Sequence, residues 1–150
     1  MTGPSFRFRL ERVRALRERA EDQAKEAFAG AMQDRIRSER EVQLAAERVA
    51  KAREAQLDAT ATPMTAADLI ARQAYLERSE QAKRASEEDL GRRDQALEVR
   101  REQLTTAARE RQALERLKEN RRIEFEREQA RIEAATLDEI ALNGFRRRAA

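Results

Sequence analysis

Large apolar residues recur at every seventh position along the second half of the chain, beginning at Leu69. Seven of the ten positions in this series are large and apolar, although Leu, Ile, Val and Phe make up only 27 of the 150 residues. A seven-residue repeat held over this distance predicts a long helix with a coiled-coil seam along one face. The ten positions are Leu69, Leu76, Lys83, Leu90, Leu97, Leu104, Arg111, Lys118, Phe125 and Ile132.

The rows of side chains that flank this series are weaker, so the predicted seam is thin and contains cations. One flanking row is polar and the other contains Ala and Leu. The polar row comprises Gln73, Glu80, Glu87, Asp94 and Arg101, and the other comprises Ala107, Leu114 and Ala135.

The first half of the chain carries a narrower stripe, in which small residues replace many of the large ones. Alanine at helical spacing lets two helices approach closely, but each alanine buries less apolar area than a larger side chain. We predict that this stripe is the complementary face of another helix. It comprises Leu10, Val13, Leu16, Ala20, Ala24, Ala27, Phe28, Ala31, Met32, Val42, Ala46 and Val49.

Proline, glycine and capping residues mark the boundaries of the two predicted helices. Pro63 disfavours helical geometry at the preceding residue, so the first helix should end before it. Thr65 and Asp68 fit a capping box that begins the second helix, and Asn143-Gly144 fits a C-terminal cap. The predicted segments are a helix over about 6–57, a hinge over about 58–65, a helix over about 66–143 and a basic tail over 144–150.

A short loop between two helices of this length predicts an antiparallel hairpin. With the loop at 58–65, Phe6 lies opposite Leu117, and the second helix extends past its partner from Lys118 onward. Apolar residues on this overhang require a partner outside the hairpin. The predicted fold is therefore all-α: a single domain formed by a long antiparallel two-helix coiled-coil hairpin with a C-terminal helix overhang.

The composition supports long helices and excludes several classes of function. Charged residues make up 41% of the chain, and 32 basic residues nearly balance 29 acidic ones. Such a balanced, Ala-rich mixture favours helix over disorder. Because the chain has no Cys and no His, it lacks thiolate nucleophiles, histidine general bases, disulfides and the ligands of most zinc sites. Its carboxylates would face water on a thin hairpin, so we predict no enzymatic activity, no catalytic residue, no metal and no cofactor.

Basic residues are concentrated at the two ends of the chain, but their pattern does not favour nucleic acid. Residues 1–19 carry six Arg and two Glu, and Arg146–Arg148 add three more positive charges. A basic zipper would place many cations directly before a parallel zipper, and this chain does not. We predict no nucleic-acid partner. The chain also has no apolar run of the roughly 20 residues that cross a bilayer and no signal-peptide pattern at its start, so we predict no membrane insertion.

Three segments near the two ends carry a more specific pattern. The first is Phe6-Arg-Phe-Arg-Leu-Glu-Arg-Val-Arg, the second is Leu114-Glu-Arg-Leu-Lys-Glu-Asn-Arg-Arg, and the third is Leu137-Asp-Glu-Ile-Ala141. Together they resemble the FliJ family of bacterial flagellar export proteins. The length and the predicted hairpin agree with that family, so the resemblance extends over the whole chain.

The resemblance implies a role in flagellar protein export. Members of the family are antiparallel two-helix coiled coils similar to the stalk of the rotary ATPase γ subunit. They bind the hexameric flagellar export ATPase, promote the assembly and activity of its ring, and link it to the export gate protein FlhA. They are also described as general chaperones or as escorts of export chaperones. The expected location is the cytoplasm, peripherally at the cytoplasmic face of the inner membrane.

The resemblance also implies two binding surfaces. In this family the gate-facing patch lies near the start of the second helix, where Tyr75, Ser79, Ala82 and Ser86 share a helical stripe; the expected contact is with FlhA. The residues expected to contact the ATPase are Phe6, Phe8, Leu137, Ile140 and Phe145. For Phe6 and Phe8 an alternative stays open, in which they only seal the base of the hairpin against Leu114 and Leu117.

Two other interpretations stay open at this stage. The nearest is the equivalent stalk protein of a virulence type III secretion system, which sequence pattern separates poorly from a flagellar one. The more distant is a generic coiled-coil adaptor or a basic coiled coil that binds nucleic acid.

Overall fold

The computed structural model describes residues 5–59 and 63–149 and contains two long helices. Helix α1 spans Glu11–Ala59 and helix α2 spans Ala66–Ala149. The described residues contain no strand, so the all-α helical hairpin is confirmed. By its internal contacts the chain divides into two compact units, residues 22–105 and residues 1–21 with 106–150. We call them the loop unit and the terminal unit and describe each by itself.

The capping box at the start of α2 forms as predicted. The backbone N–H of Asp68 donates to the Thr65 hydroxyl oxygen at 3.2 Å. The Asp68 carboxylate accepts from the Thr65 hydroxyl at 2.6 Å and from the Thr65 backbone N–H at 3.3 Å. These bonds hold the pKa of Asp68 below its usual value, with the Thr65 hydroxyl as the main cause. The ionised carboxylate and the hydroxyl together satisfy backbone donors that a helix start leaves without partners.

The apolar seam of the loop unit is thin and is built largely from small residues. Ala45, Val49 and Ala52 of α1 are buried, and Leu76 of α2 is the buried large side chain that packs with Val49 and Ala52. The every-seventh series does face α1, since its members from Leu76 to Leu104 are all at least half-buried. The flanking row that contains Ala107 and Leu114 also lies on the side that faces α1. In the loop unit this row contains the buried Ser79 and the half-buried Ser86.

Polar pairs between the helices supplement this thin seam in the loop unit. Arg35 donates to Asp94 at 2.9 Å, and the buried Ser38 hydroxyl donates to Asp89 at 3.0 Å. The Asp94 carboxylate raises the pKa of Arg35. The Ser38 hydroxyl is the main cause that lowers the pKa of Asp89. The seam therefore carries a polar layer in which a buried hydroxyl and charged groups satisfy one another.

Several ion pairs join the two helices in the terminal unit. Arg14 donates to Glu115 at 2.8 Å, and Lys118 donates to Glu11 at 3.0 Å. Arg111 pairs with Glu21, whose side chain is buried. Long charged side chains can pack their aliphatic stems along an apolar face while their charged groups form ion pairs. These residues can therefore occupy seam positions that the pattern of apolar residues does not predict.

The observed register differs from the predicted one in both units. In the terminal unit Phe6 meets Phe125 rather than Leu117. In the loop unit Arg35 meets Asp94 rather than Glu88. The shift has two causes: α1 continues to Ala59, which moves the loop forward, and the polar pairs select a register that the apolar pattern does not specify. The overhang of α2 consequently begins after Phe125 and not at Lys118.

Two predicted helix boundaries were wrong. Residues 5–8 have no regular secondary structure, and α1 begins at Glu11 rather than at residue 6. At the other end α2 runs through Gly144, whose φ is not positive, and continues to Ala149. Glycine ends a helix when the chain turns into the left-handed region, and here it does not. The basic residues that follow favour helix because they interact well with its C-terminal dipole.

Part of the predicted α1 stripe was also wrong. Val13 and Leu16 are exposed on the terminal unit. The inward positions there belong to Arg14 and Glu21, because their partners on α2 are charged.

Candidate functional site

An open cleft lies in the terminal unit where the N-terminal segment meets α2. Its volume is about 950 Å³, which is within the range of ligand and peptide pockets. Aromatic and aliphatic side chains line it together with several arginines. We call it the base cleft; its lining is Phe6, Arg7, Phe8, Arg9, Leu10, Leu117, Arg121, Glu124 and Phe125.

The base cleft exists because residues 5–8 leave the line of α1. The backbone N–H of Glu11 donates to the carbonyl of Phe8 at 3.2 Å, which closes a turn just before the helix. The segment then places the ring of Phe6 with its centroid 5.8 Å from that of Phe125, at an interplanar angle of 49°. Tilted ring pairs of this kind are favourable beyond their buried area. Phe6 and Phe8 are half-buried, so they pack against the base and also line the cleft.

Charge in and beside the base cleft follows a definite arrangement. Arg121 donates to Glu124 at 2.9 Å, so the positive charge of the lining comes mainly from Arg7 and Arg9. Glu11, which follows Leu10 of the lining in sequence, accepts a hydrogen bond from Arg14 at 2.9 Å and another from Lys118. These two hydrogen bonds, that of Arg14 first, lower the pKa of Glu11 to about 2. Glu11 therefore stays ionised and ties the two helices together next to a cationic, aromatic surface.

The overhang of α2, residues 126–148, is a separate surface of the terminal unit. Every described side chain from Ala130 to Arg148 is exposed. Leu137, Ile140 and Phe145 are 66%, 62% and 73% exposed. Large apolar side chains this exposed and this close in sequence are typical of a surface that binds another protein. Three of the five residues expected from the sequence as contacts of the ATPase thus lie on one exposed stretch of helix.

The four residues expected to form the gate-facing stripe differ in their exposure. Tyr75 is 50% exposed, as its place outside the every-seventh series predicts, and Ala82 is exposed. Ser79 is buried, and Ser86 is half-buried and donates to the Ala82 carbonyl at 3.1 Å. A shallow groove of about 200 Å³ runs along this stripe and is lined by Ala45, Arg48, Tyr75, Arg78, Ser79 and Ala82.

The described residues contain neither a cluster of metal ligands nor a membrane-spanning helix. Within residues 5–59 and 63–149 no group of three or more Asp and Glu side chains is placed to hold a metal ion. No helix in the same part of the chain is long and apolar enough to cross a membrane.

Several residues of the base cleft were not identified from the sequence. Leu117 was expected as a packing partner of Phe6 and Phe8, Arg7 and Arg9 were counted only in the basic charge of residues 1–19, and no role was predicted for Arg121. One signal was available, because Phe125 belongs to the every-seventh series and is the only aromatic residue in it. The bend of residues 5–8 has no comparable signal in the sequence.

Comparison with known proteins gives one clear finding. Residues 6–150 match the family model for the flagellar FliJ protein. No curated protein and no solved structure matches the chain.

Proposed function

The chain belongs to the FliJ family of flagellar export proteins, and we infer from this membership and from the surfaces of the terminal unit that it binds the hexameric flagellar export ATPase. In this role it acts as the γ-subunit-like stalk of the ATPase, promotes the assembly and activity of the ring, and links it to the export gate protein FlhA. It works at the cytoplasmic face of the inner membrane and assists export chaperones. The family is one of non-catalytic export components, and the chain contributes binding surfaces rather than chemistry.

The observation that carries this proposal is the exposed apolar stretch of the overhang. Leu137, Ile140 and Phe145 project from a helix that has passed the end of α1. Burying one such side chain in an interface is worth roughly 1.5–3 kcal/mol. An exposed helix of this kind suits insertion among the subunits of a ring, where the partner supplies the missing surface.

The base cleft adds a second, cationic contact in the same unit. Phe6 and Phe8 line the cleft, and Arg7 and Arg9 of the lining supply positive charge. Aromatic and arginine side chains are the types that most often dominate binding energy at interfaces. We therefore assign the ATPase contact to Phe6 and Phe8 together with Leu137, Ile140 and Phe145 of the overhang.

We assign the contact with the export gate to the exposed residues of the stripe formed by Tyr75, Ser79, Ala82 and Ser86 in the loop unit. Tyr75 and Ala82 are accessible there, and the groove between them and Arg48 gives an aromatic, cationic surface. The buried Ser79 and the half-buried Ser86 act by allowing α1 and α2 to pack closely beneath Tyr75 rather than by direct contact.

A binding measurement with surface variants tests the ATPase contact. Leu137→Asp with Phe145→Asp should raise the Kd for the purified ATPase at least about tenfold, because two buried apolar contacts are lost. The matched control is Val99→Asp, a change at an exposed apolar residue of the loop unit, which should bind like the unmodified chain. Equal Kd values for the overhang variant and the unmodified chain would remove the overhang from the ATPase interface.

A further inference from the structure

The charges of the overhang are segregated along its length. Residues 126–139 carry five acidic and two basic side chains, whereas residues 140–148 carry Arg146, Arg147, Arg148 and no acid. Because α2 continues through Gly144, both blocks lie on one helix. A helix with an acidic first part and a basic last part is complementary to a second copy of itself that runs in the opposite direction.

The apolar face of the overhang has the spacing that such a pairing requires. Ala134, Leu137, Ala141 and Gly144 follow one another at intervals of three, four and three residues, the spacing of a coiled-coil seam. A Cβ at Gly144 would meet nothing within 4 Å, so the backbone there is open to a close approach. This face differs from the one that α2 turns towards α1, to which Phe125 and Ile132 belong.

We propose that the overhang pairs with the overhang of a second copy of this chain as an antiparallel, two-fold symmetric helix pair centred near residues 139–140. In that arrangement a residue before the two-fold axis meets the residue of the second copy that lies about equally far after the axis. Glu133, Ile140 and Arg147 are spaced seven apart along one edge of the apolar face. Ile140 therefore meets Ile140 of the second copy, and Glu133 meets Arg147 of the second copy, twice by symmetry.

The other edge of the face explains why the pair is weak and reversible. Asp138 lies close to the axis on that edge and meets Asp138 of the second copy, which is a like-charge contact. Phe145 on the same edge meets Arg131 of the second copy, where a cation can lie over an aromatic ring. The interface is also small, since it involves one helix of about five turns from each copy. Interfaces of this size support transient rather than permanent association.

The pairing has a consequence for regulation, which rests on the proposed function. It covers Leu137, Ile140 and Phe145, the same residues that we assign to the ATPase contact. A chain in the paired state is therefore unable to bind the ATPase through its overhang. The pairing itself needs no ATPase, so it is measured on the purified chain alone, and its failure would leave the ATPase contact untouched.

Neutralising two carboxylates on the same helix tests the geometry, because the proposal predicts opposite effects. In sedimentation equilibrium, Glu133→Gln should raise the dimer Kd roughly fivefold through the loss of two ion pairs. Asp138→Asn should lower the dimer Kd, because it removes the like-charge contact. The matched control Glu139→Gln lies outside the face and should change nothing. Changes of the same sign for Glu133→Gln and Asp138→Asn would overturn the geometry in favour of non-specific charge effects.

Charge exchange gives the second arm of the test. Arg147→Glu alone should abolish detectable dimer, and the pair Glu133→Arg with Arg147→Glu should restore it, because the ion pairs form again with their signs exchanged. All of these residues are exposed, so circular dichroism should show unchanged helicity. A chain that stays monomeric at every concentration up to millimolar, or a double variant that does not recover, would contradict the proposal.

The direction of the pairing is read from nitroxide distances. The chain has no native Cys, so single labels can be placed at Glu139→Cys and at Ile132→Cys. Both positions lie on the side of the helix away from the proposed interface. An antiparallel pair adds about 21 Å of axial separation between the two labels at position 132 relative to those at position 139. Equal distances at the two positions would indicate parallel pairing and overturn the model.

Discussion

Glu11 joins the two helices of the terminal unit at the edge of the base cleft. Its carboxylate accepts hydrogen bonds from Arg14 on its own helix and from Lys118 on α2. It also stands in the first turn of α1, where a negative charge interacts well with the helix dipole. Both effects stabilise the ionised form, and they explain why an acidic residue begins α1 next to a segment otherwise rich in arginine.

The lowered pKa of Glu11 predicts a specific dependence of stability on pH. Its folded pKa is about 2, against an ordinary value of 4.5. A depressed pKa contributes stability that is fully present above the ordinary value and is lost as the pH falls through the folded value. The melting temperature of the unmodified chain should therefore exceed that of Glu11→Gln above about pH 4.5, and the difference should shrink as the pH approaches 2.

Thermal melts followed by circular dichroism across this pH range measure the difference. Lys118→Met is the companion variant, because it removes one of the two donors and should reduce the pH dependence without eliminating it. A difference between the unmodified chain and Glu11→Gln that stays constant down to pH 2 would show that the carboxylate gains nothing from its partners.

At the scale of the helices, the sequence predicts the elements well and their pairing poorly. The every-seventh series identifies the face of α2 that meets α1, and the Thr65–Asp68 capping box forms as predicted. The register was wrong because Ala-rich faces fit one another in several positions, and the choice among them depends on pairs such as Arg35–Asp94. A pattern of apolar positions does not predict charged residues in the seam, such as Glu21.

The glycines inside the helices give one prediction at this scale. Gly91 lies in α2 with a helical backbone, and a Cβ added there would meet nothing within 4 Å. Gly91→Ala should therefore raise the free energy of unfolding by roughly 0.5–1 kcal/mol, since alanine has the higher helix propensity. Urea denaturation measures it, with Gly30→Ala as the parallel case in α1. A loss of stability in either variant would show that the glycine is needed for close packing.

Two neighbouring residues of α2 give a second prediction at this scale. Leu76→Ala should lower the free energy of unfolding by about 2–3 kcal/mol, because Leu76 is the large side chain buried against Val49 and Ala52. Tyr75→Ala should change it by less than about 0.5 kcal/mol, since the ring is half-exposed, while it weakens binding to FlhA. A cost for Tyr75→Ala as large as that for Leu76→Ala would place the tyrosine in the seam.

At the scale of the whole molecule, the candidate binding surfaces belong to different units. The base cleft and the overhang are in the terminal unit, and the Tyr75 groove is in the loop unit. The aromatic and apolar residues at the centre of these surfaces were predicted from the sequence, whereas the arginines that line the cleft and the groove were not. The start of the overhang could not be predicted from the sequence, because it depends on where Phe6 meets α2. Its full length could not be predicted either, because Asn-Gly is typical of a helix end, whereas the backbone at Gly144 stays helical.

Removal of residues 137–150 should affect binding to the ATPase and leave binding to FlhA intact. A chain that ends at Thr136 keeps every ion pair between the helices described above, because the one furthest along α2 is that of Lys118 with Glu11. Its melting temperature should therefore stay close to that of the full chain, and its binding to FlhA should be unchanged. Its binding to the ATPase should be lost. A large drop in melting temperature would instead show that residues 137–150 stabilise the base.

The most direct measurement of the central claim is ATP hydrolysis by the cognate export ATPase, titrated with the full chain at low ATPase concentration while ring assembly is followed by mass photometry. The stalk role predicts that hydrolysis rises and saturates near one chain per ATPase hexamer, and that the chain ending at Thr136 gives no rise. Unchanged hydrolysis and unchanged ATPase oligomers with the helical full chain, or full stimulation by the truncated one, would contradict it.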